Sequence, residues 1–251
     1  MTSCHAFIQA RMSSTRFPGK VLETIAGLPG IVYMAKRVAR ARLISGITVV
    51  TSTDASDDAL QMALEGHGIA VFRGDLNDVL ARFGAAAEAT NAEEIVRLTG
   101  DCPLIDPGIL DRVIQLRRDS KADYASNIDL PSYPDGLDCE VFVRDALKRA
   151  LQEALKTQER EHVTLWMRSD ASGLRRANLR SVIDASALRL TVDYPDDLVV
   201  VRELVAALPC HGDFDYYDLL RVLDTRQDLW DANRHVRNEA LLKKSPTQLL
   251  T

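Results

Sequence analysis

Short β-rich runs alternate with longer amphipathic runs over the first hundred residues, and no other feature of the chain narrows its fold so far. The strand candidates are 6–9, 47–51, 70–73 and 94–98, and the helix candidates between them are 31–42, 56–67 and 76–90. A strand that feeds a helix and then a further strand returns in parallel through a right-handed crossover, so the succession predicts an α/β protein with a mostly parallel sheet. Ligands of such sheets bind beyond the carboxyl ends of the strands. The segments to inspect are therefore those after Gln9, Thr51, Arg73 and Leu98.

Helix starts support this register. Asp54 and Ser56 precede acidic Asp57 and Asp58, and Asp106 precedes Pro107, a favoured arrangement of cap and first turn. After residue 123 the strand candidates shorten to 123–126, 139–143, 174–178 and 188–192, with helices near 144–157 and 159–169, which reads as a second lobe on the same sheet. From Asp215 the pattern is helical again, and the polar tail 243–251 is expected to fray. A chain of 251 residues can bury a sizeable core, so the expectation is one domain over 1–251, with the lobe at about 127–180 and a C-terminal helical segment at about 215–251.

Composition removes several classes. Apolar residues make up 46% and charged residues 27%, which fits a globular protein and not a disordered one. No stretch approaches the roughly 18 consecutive apolar residues that span a bilayer, and the N-terminus lacks a basic segment followed by an apolar run, so a cytoplasmic protein without a membrane partner is expected. Cys4, Cys102, Cys139 and Cys210 are scattered without a Cys-x-x-Cys pair, which predicts free thiols.

Against a net charge of −5, the segment Gln-Ala-Arg-Met-Ser-Ser-Thr-Arg-Phe-Pro-Gly-Lys at 9–20 concentrates Arg11, Arg16 and Lys20 just beyond the first strand. Cations so placed in an acidic chain suit the polyphosphate of a nucleotide and not a nucleic acid backbone. The segment carries neither G-x-G-x-x-G nor G-x-x-x-x-G-K-[ST], so side chains must hold the phosphates. Arginine offers a planar fork and lysine a mobile point charge, while Ser13, Ser14 and Thr15 add hydroxyls and backbone donors. Any one of these residues alone would be an ordinary solvated basic position.

Two strand ends carry a carboxylate. In Leu-Thr-Gly-Asp-Cys-Pro-Leu-Ile at 98–105, Asp101 follows an apolar strand, where it can hold Mg²⁺ against phosphate oxygens or simply occupy a turn. Thr-Val-Asp-Tyr-Pro-Asp-Asp-Leu at 191–198 repeats the logic with Asp193, while Asp196 and Asp197 suit the positive end of the following helix.

Together these segments strongly resemble the cytidylyltransferases that activate sugar acids, most closely the branch named for the spore coat polysaccharide biosynthesis protein SpsF, over about residues 5–208. The resemblance implies a three-layer α/β/α sandwich of the glycosyltransferase-A type and transfer of CMP from CTP to a sugar acid with loss of pyrophosphate. It implies that Arg11, Lys20, Asp101 and Asp193 are catalytic, and that Asp101 and Asp193 hold Mg²⁺. It places the nucleotide on Gln9, Ala10, Arg11 and Ser14, with Arg16, Lys20, Arg73 and Asp101. It points to Asn127, Asp138 and Glu140 on the acceptor side, from a P-D-G-L-D-x-E-V-F segment, and to His162 within Arg-Glu-His-Val at 160–163, which reads equally as a structural histidine or one at a subunit contact. Within one helix Glu161 and His162 would point apart, and Arg82 reads most simply as a surface salt bridge.

The chain departs from many of these enzymes in having Gln9 where they carry proline and Tyr194 where they carry a small hydroxyl residue. A homodimer built through the 127–180 lobe follows from the resemblance. A metal-dependent glycosyltransferase or a non-catalytic nucleotide-binding partner are the alternatives.

Overall fold

The computed structural model describes residues 3–208, 210 and 212–232. Strand β1 (Cys4–Gln9) is followed by a hairpin of β2 (Thr24–Ile25) and β3 (Leu28–Pro29), then by α1 (Gly30–Val38), β4 (Gly46–Ser52), α2 (Asp58–Glu65), β5 (Ala70–Gly74), α3 (Val79–Thr90) and β6 (Glu94–Thr99). The chain continues through α4 (Pro107–Ser120), β7 (Tyr124–Ser126), β8 (Glu140–Val143), α5 (Arg144–Glu153), α6 (Thr157–Glu161), α7 (Leu165–Arg168) and β9 (Arg176–Asn178). Helices α8 (Pro195–Ala207), α9 (Tyr216–Thr225) and α10 (Gln227–Ala232) complete it.

Seven strands form one sheet in the order β5-β4-β1-β6-β8-β7-β9. The first four are mutually parallel, while β8 runs antiparallel to both β6 and β7. The period-2 alternation of β1 divides its side chains between two cores. Cys4, Ala6 and Ile8 enter the core shared with α1, α2, α4 and α8, and Phe7 enters the core shared with α3, α5 and α7. Helices thus cover both faces, giving the three-layer α/β/α sandwich, and the central strands are near-continuously apolar because neither face meets water.

Several boundaries differ from the sequence reading for identifiable reasons. Helix α3 begins at Val79 and not at residue 76, because Asp75 accepts from the backbone of Asn77 and Asp78, and Asp78 then caps the helix through the amide of Ala81. The segment 188–192 is no strand: Arg189 makes one isolated parallel bridge to Asp135, through the carbonyl of Leu188 and the amide of Leu190, and Val192 bonds instead to the carbonyl of Asp101. The helix expected over 159–169 is broken between α6 and α7, where Val163 adopts φ 57°. The hairpin of β2 and β3 was not read at all; Ala26 and Gly27, both at positive φ, make its turn.

The four cysteines are free thiols. Among the described residues no helix is long and apolar enough to cross a membrane. The polar tail 243–251 lies outside the described residues, as does the segment beyond Ala232.

Candidate active site

A cleft of about 340 Å³ opens at the carboxyl ends of β1 and β6. The two strands part there with little room to spare, since a Cβ on Gly100 would lie 2.9 Å from that of Ala10 and 3.1 Å from the carbonyl of Gln9. Gly100 also donates its amide to that carbonyl. The segment after β1 is then held from the opposite strand end. Asp57, fully buried, accepts from the amide of Met12 at 2.7 Å and from Thr51 and Ser52 of β4. Burial alone would raise its carboxyl, but these donors hold it below the usual range.

Lys20 lies just inside a short 3-10 turn entered through Gly19, which takes φ 74°. Its ammonium reaches Asp193 at 2.8 Å and Asp101 at 3.2 Å, so two carboxylates 92 residues apart in sequence meet at one cation. Burial opposes the charge on Lys20, yet the two carboxylates raise it above its ordinary value. Asp193 is likewise held below its ordinary value despite burial, because Lys20, Arg189 and Arg16 all face it. Arg16 contacts the same Asp193 oxygen as Lys20 at 2.8 Å while its side chain remains half exposed, and its guanidinium lies over the ring of Tyr194.

The second Asp193 oxygen is taken by Arg189, which also grips Asp197 and Asp135. Asp197 in turn accepts from the amides of Asp193 and Tyr194, so a carboxylate from inside α8 secures the turn where the small hydroxyl residue is missing. The Asp135 loop is packed against the same segment through Gly136, at φ 107°, where a Cβ would come within 2.6 Å of the Leu190 backbone.

Deeper in the cleft, Arg97 of β6 and Glu140 of β8 are register partners and form a buried ion pair. Glu140 accepts as well from the hydroxyls of Tyr124, at 2.7 Å, and Thr164, at 2.5 Å. Burial would raise this carboxyl, but Arg97 and the two hydroxyls keep it below its ordinary value. Arg97 donates on to the side-chain oxygen of Gln9 at 3.1 Å. Gln9 therefore replaces a proline with a group that is itself held in place.

The cleft gathers Gln9, Ala10, Arg11, Ser14, Arg16 and Lys20 from the first segment, with Asp101, Asp193 and His162 across from them. Other expectations need correction. Arg73 is not part of the lining: its guanidinium bonds the carbonyls of Ser52 and Asp54 and the side chains of Asp58 and Gln61. Asn127 is spent on its own loop, donating to Leu137 and accepting from Cys139. Asp138 is half-buried outside the lining, and Glu140 sits behind Arg97 and does not face the cleft.

Arg82 is no surface salt bridge. It is 2% exposed, lines the cleft, and donates only to the carbonyl of Asp75 among the hydrogen bonds of the described residues. Burial and the nearby Arg11 lower its affinity for a proton, and Asp57 and Asp75 offset only part of that. Glu161 and His162 do not diverge, because the helix ends between them and both reach the cleft. Arg97 was missed altogether and Asp57 was read only as an acidic residue at a helix start, although a charged residue inside a buried strand and an aspartate after one were visible signals.

Comparison with known proteins places this geometry. Residues 5–236 match the family model for Cytidylyltransferase. The chain is 32% identical over 228 residues to the spore coat polysaccharide biosynthesis protein SpsF of Bacillus subtilis (strain 168), covering 88% of this chain and 94% of that protein. It is 40% identical over 111 residues, 43% of each chain, to the 3-deoxy-manno-octulosonate cytidylyltransferase of Geobacter sulfurreducens (strain ATCC 51573 / DSM 12127 / PCA). A solved cytidylyltransferase from Leptospira borgpetersenii serovar Hardjo-bovis (strain JB197) superposes with TM-score 0.87 at 28% identity, over 92% of this chain and 97% of that one. The chain belongs to the cytidylyltransferase family and is a nucleotidyltransferase.

Proposed function

We propose that the chain transfers CMP from CTP to a sugar acid of the octulosonate or nonulosonate type, releasing pyrophosphate, and so prepares a CMP-sugar for a surface glycan. The observation that carries this reading is the meeting of Arg16, Lys20, Asp101 and Asp193 at the mouth of one cleft beyond β1 and β6. A triphosphate offers Arg16 and Lys20 an acceptor of higher charge than a single carboxylate, and Arg11 adds a third cation on the same wall. Ser14 and the backbone around Ala10 supply neutral contacts there, and Gln9, held by Arg97, fixes the floor.

Mg²⁺ fits the donor set. Asp101 and Asp193 already reach one cation in common, and among the described residues no group of three or more His, Cys, Asp and Glu gathers, which suits an ion that keeps water and phosphate ligands. When bound, it would neutralise charge on the phosphate oxygens. Asp101 and Asp193 would hold it, and Lys20 and Arg16 would then turn to the departing pyrophosphate. Catalysis is then alignment and charge neutralisation, and no covalent protein intermediate is needed. A homodimer working in the cytoplasm, where CTP is made, completes the proposal.

The test is pyrophosphate release with Mg²⁺ from CTP, ATP, GTP and UTP in turn, each with a panel of sugar acids. Release confined to CTP with a sugar acid supports the reading. Transfer from a preformed nucleotide sugar, without pyrophosphate, would replace it with the glycosyltransferase alternative.

A further inference from the structure

The break between α6 and α7 is a strained turn, and the two residues before it, Glu161 and His162, line the cleft. The amide of Thr164 donates to the carbonyl of His162 at 2.5 Å, closing a three-residue γ-turn around Val163. Val163 takes φ 57° and is fully buried. A β-branched side chain pays heavily for that backbone conformation, so the turn persists only because its surroundings impose it. Strain of this kind collects where a side chain must be aimed.

Both flanks of the turn are anchored. On one side Arg160 clamps the Asp78 carboxylate that caps α3, through Nε at 2.8 Å and Nη2 at 2.6 Å, and also donates to the carbonyl of Ala154. On the other, the Thr164 hydroxyl donates to Glu140, the partner of Arg97. Between these anchors His162 faces the cleft, opposite the segment that follows β1. The turn therefore fixes the imidazole relative to both α3 and the Arg97 floor.

Resting on the nucleotidyl transfer proposed above, we infer that His162 is the general base that takes the proton of the acceptor hydroxyl. The acceptor oxygen forms its bond to the α-phosphorus as the bond to pyrophosphate breaks. Its proton passes to a ring nitrogen of His162, the electron pair leaves with pyrophosphate, and His162 returns the proton to water afterwards.

The other basic groups of the cleft are committed. Asp193 has one oxygen on Arg16 and Lys20 and the other on Arg189, and Asp101 is paired with Lys20. Glu161 is exposed beside His162, and Arg82 from α3, Arg97 from β6 and Arg11 from the first segment are the other charged groups that line this part of the cleft. An imidazole titrates nearest the working pH, where a general base is most effective.

The experiment compares pH profiles of pyrophosphate release for the unaltered chain, His162→Gln and Glu161→Gln, each with CTP and the acceptor. His162→Gln is expected to lower kcat by about 10²- to 10⁴-fold with KM for CTP within about twofold, and to abolish the acid-side limb of the profile. His162→Ala should regain part of its rate when imidazole is added. Because the side chain is exposed, the unfolding midpoint of His162→Gln should match that of the unaltered chain.

Turnover of His162→Gln at the original rate, or an acid limb that survives there and vanishes in Glu161→Gln, overturns the inference and leaves the nucleotidyl transfer standing. If the unaltered chain releases no pyrophosphate with any acceptor, both fall together.

Discussion

Two carboxylate centres share the cleft, and they are built in opposite ways. At the mouth, Asp193 and Asp101 share Lys20 and a half-exposed Arg16, partners on flexible stems that an incoming anion can draw away. At the floor, Glu140 is closed by its register partner Arg97 and by hydroxyls from β7 and from the start of α7, all of them fixed by sheet or turn. Side-chain exposure separates them at Asp101 and Arg16, 27% and 49% against 4% for Glu140, whereas Lys20 is as enclosed as Arg97. On the proposed function, the charge exchanged with the nucleotide is the one held by side chains outside the sheet, and the charge that defines a shape is the one closed between strands.

The largest effect should come from breaking the closed centre. Glu140→Gln leaves the Arg97 guanidinium buried without its counter-charge, so a loss of about 3 to 5 kcal/mol of folding stability is expected in urea unfolding. A loss below about 1 kcal/mol would mean that Arg97 has another way to be neutralised, and the contrast between the centres would fail.

Asp101→Asn probes the open centre. It deletes one charge at the mouth without changing shape, so the fold should keep its unfolding midpoint while Mg²⁺-dependent pyrophosphate release falls about 10²- to 10³-fold. Undiminished turnover in that variant would remove Asp101 from the proposed metal site.

The pH dependence of stability sharpens the same comparison with a smaller effect. Asp193 is held below its ordinary value, so its ion pairs contribute in full above about pH 4 and are lost as pH falls through the depressed value. Lys20 is held above its ordinary value, so its share is present at neutral pH and is lost only as pH rises through the elevated one. The midpoint difference between the unaltered chain and Asp193→Asn should therefore be flat from about pH 5 to 9 and shrink towards pH 3. A difference that persists undiminished at pH 3 would show that the role of Asp193 in the fold does not depend on its charge.

The same division explains what the sequence could and could not disclose. The open centre was largely legible because Arg16 and Lys20 follow β1 and Asp101 follows β6, where strand order predicts a ligand site, while Asp193 was singled out from an expected strand end that the fold replaces with the turn into α8. The closed centre was only half legible. Glu140 was singled out, but for the substrate, since nothing local shows that its cross-strand neighbour is a charged residue inside β6. Long-range pairing also hid Arg189 and Asp57, whose partners lie in loops that meet only after the sheet has formed. The helix break at Val163 escaped because a buried valine in an amphipathic run reads as helix, and only tertiary contacts force its backbone to positive φ.

Arg73 and Arg82 carry the contrast to its smallest expected effect. They flank one strand end, and residue type gives no reason to prefer either as the residue that faces the nucleotide. The fold separates them. Gly74 leaves space for the Arg82 stem, since a Cβ there would lie 2.9 Å from its Cγ, and so Arg82 turns inward to the cleft. Arg73 turns outward, where α2 and the end of β4 satisfy it with two carbonyls and two side chains. Arg73→Gln should then change KM for CTP by less than about twofold and lower stability by no more than about 1 kcal/mol, the scale of a partly exposed ion pair. Arg82→Gln, measured alongside, should raise KM for CTP by more than Arg73→Gln does, because the cation it removes stands in the cleft. A tenfold rise for Arg73→Gln would mean that Arg73 leaves its bonds to meet the nucleotide, and the outward arginine would belong with the exchangeable charges of the mouth.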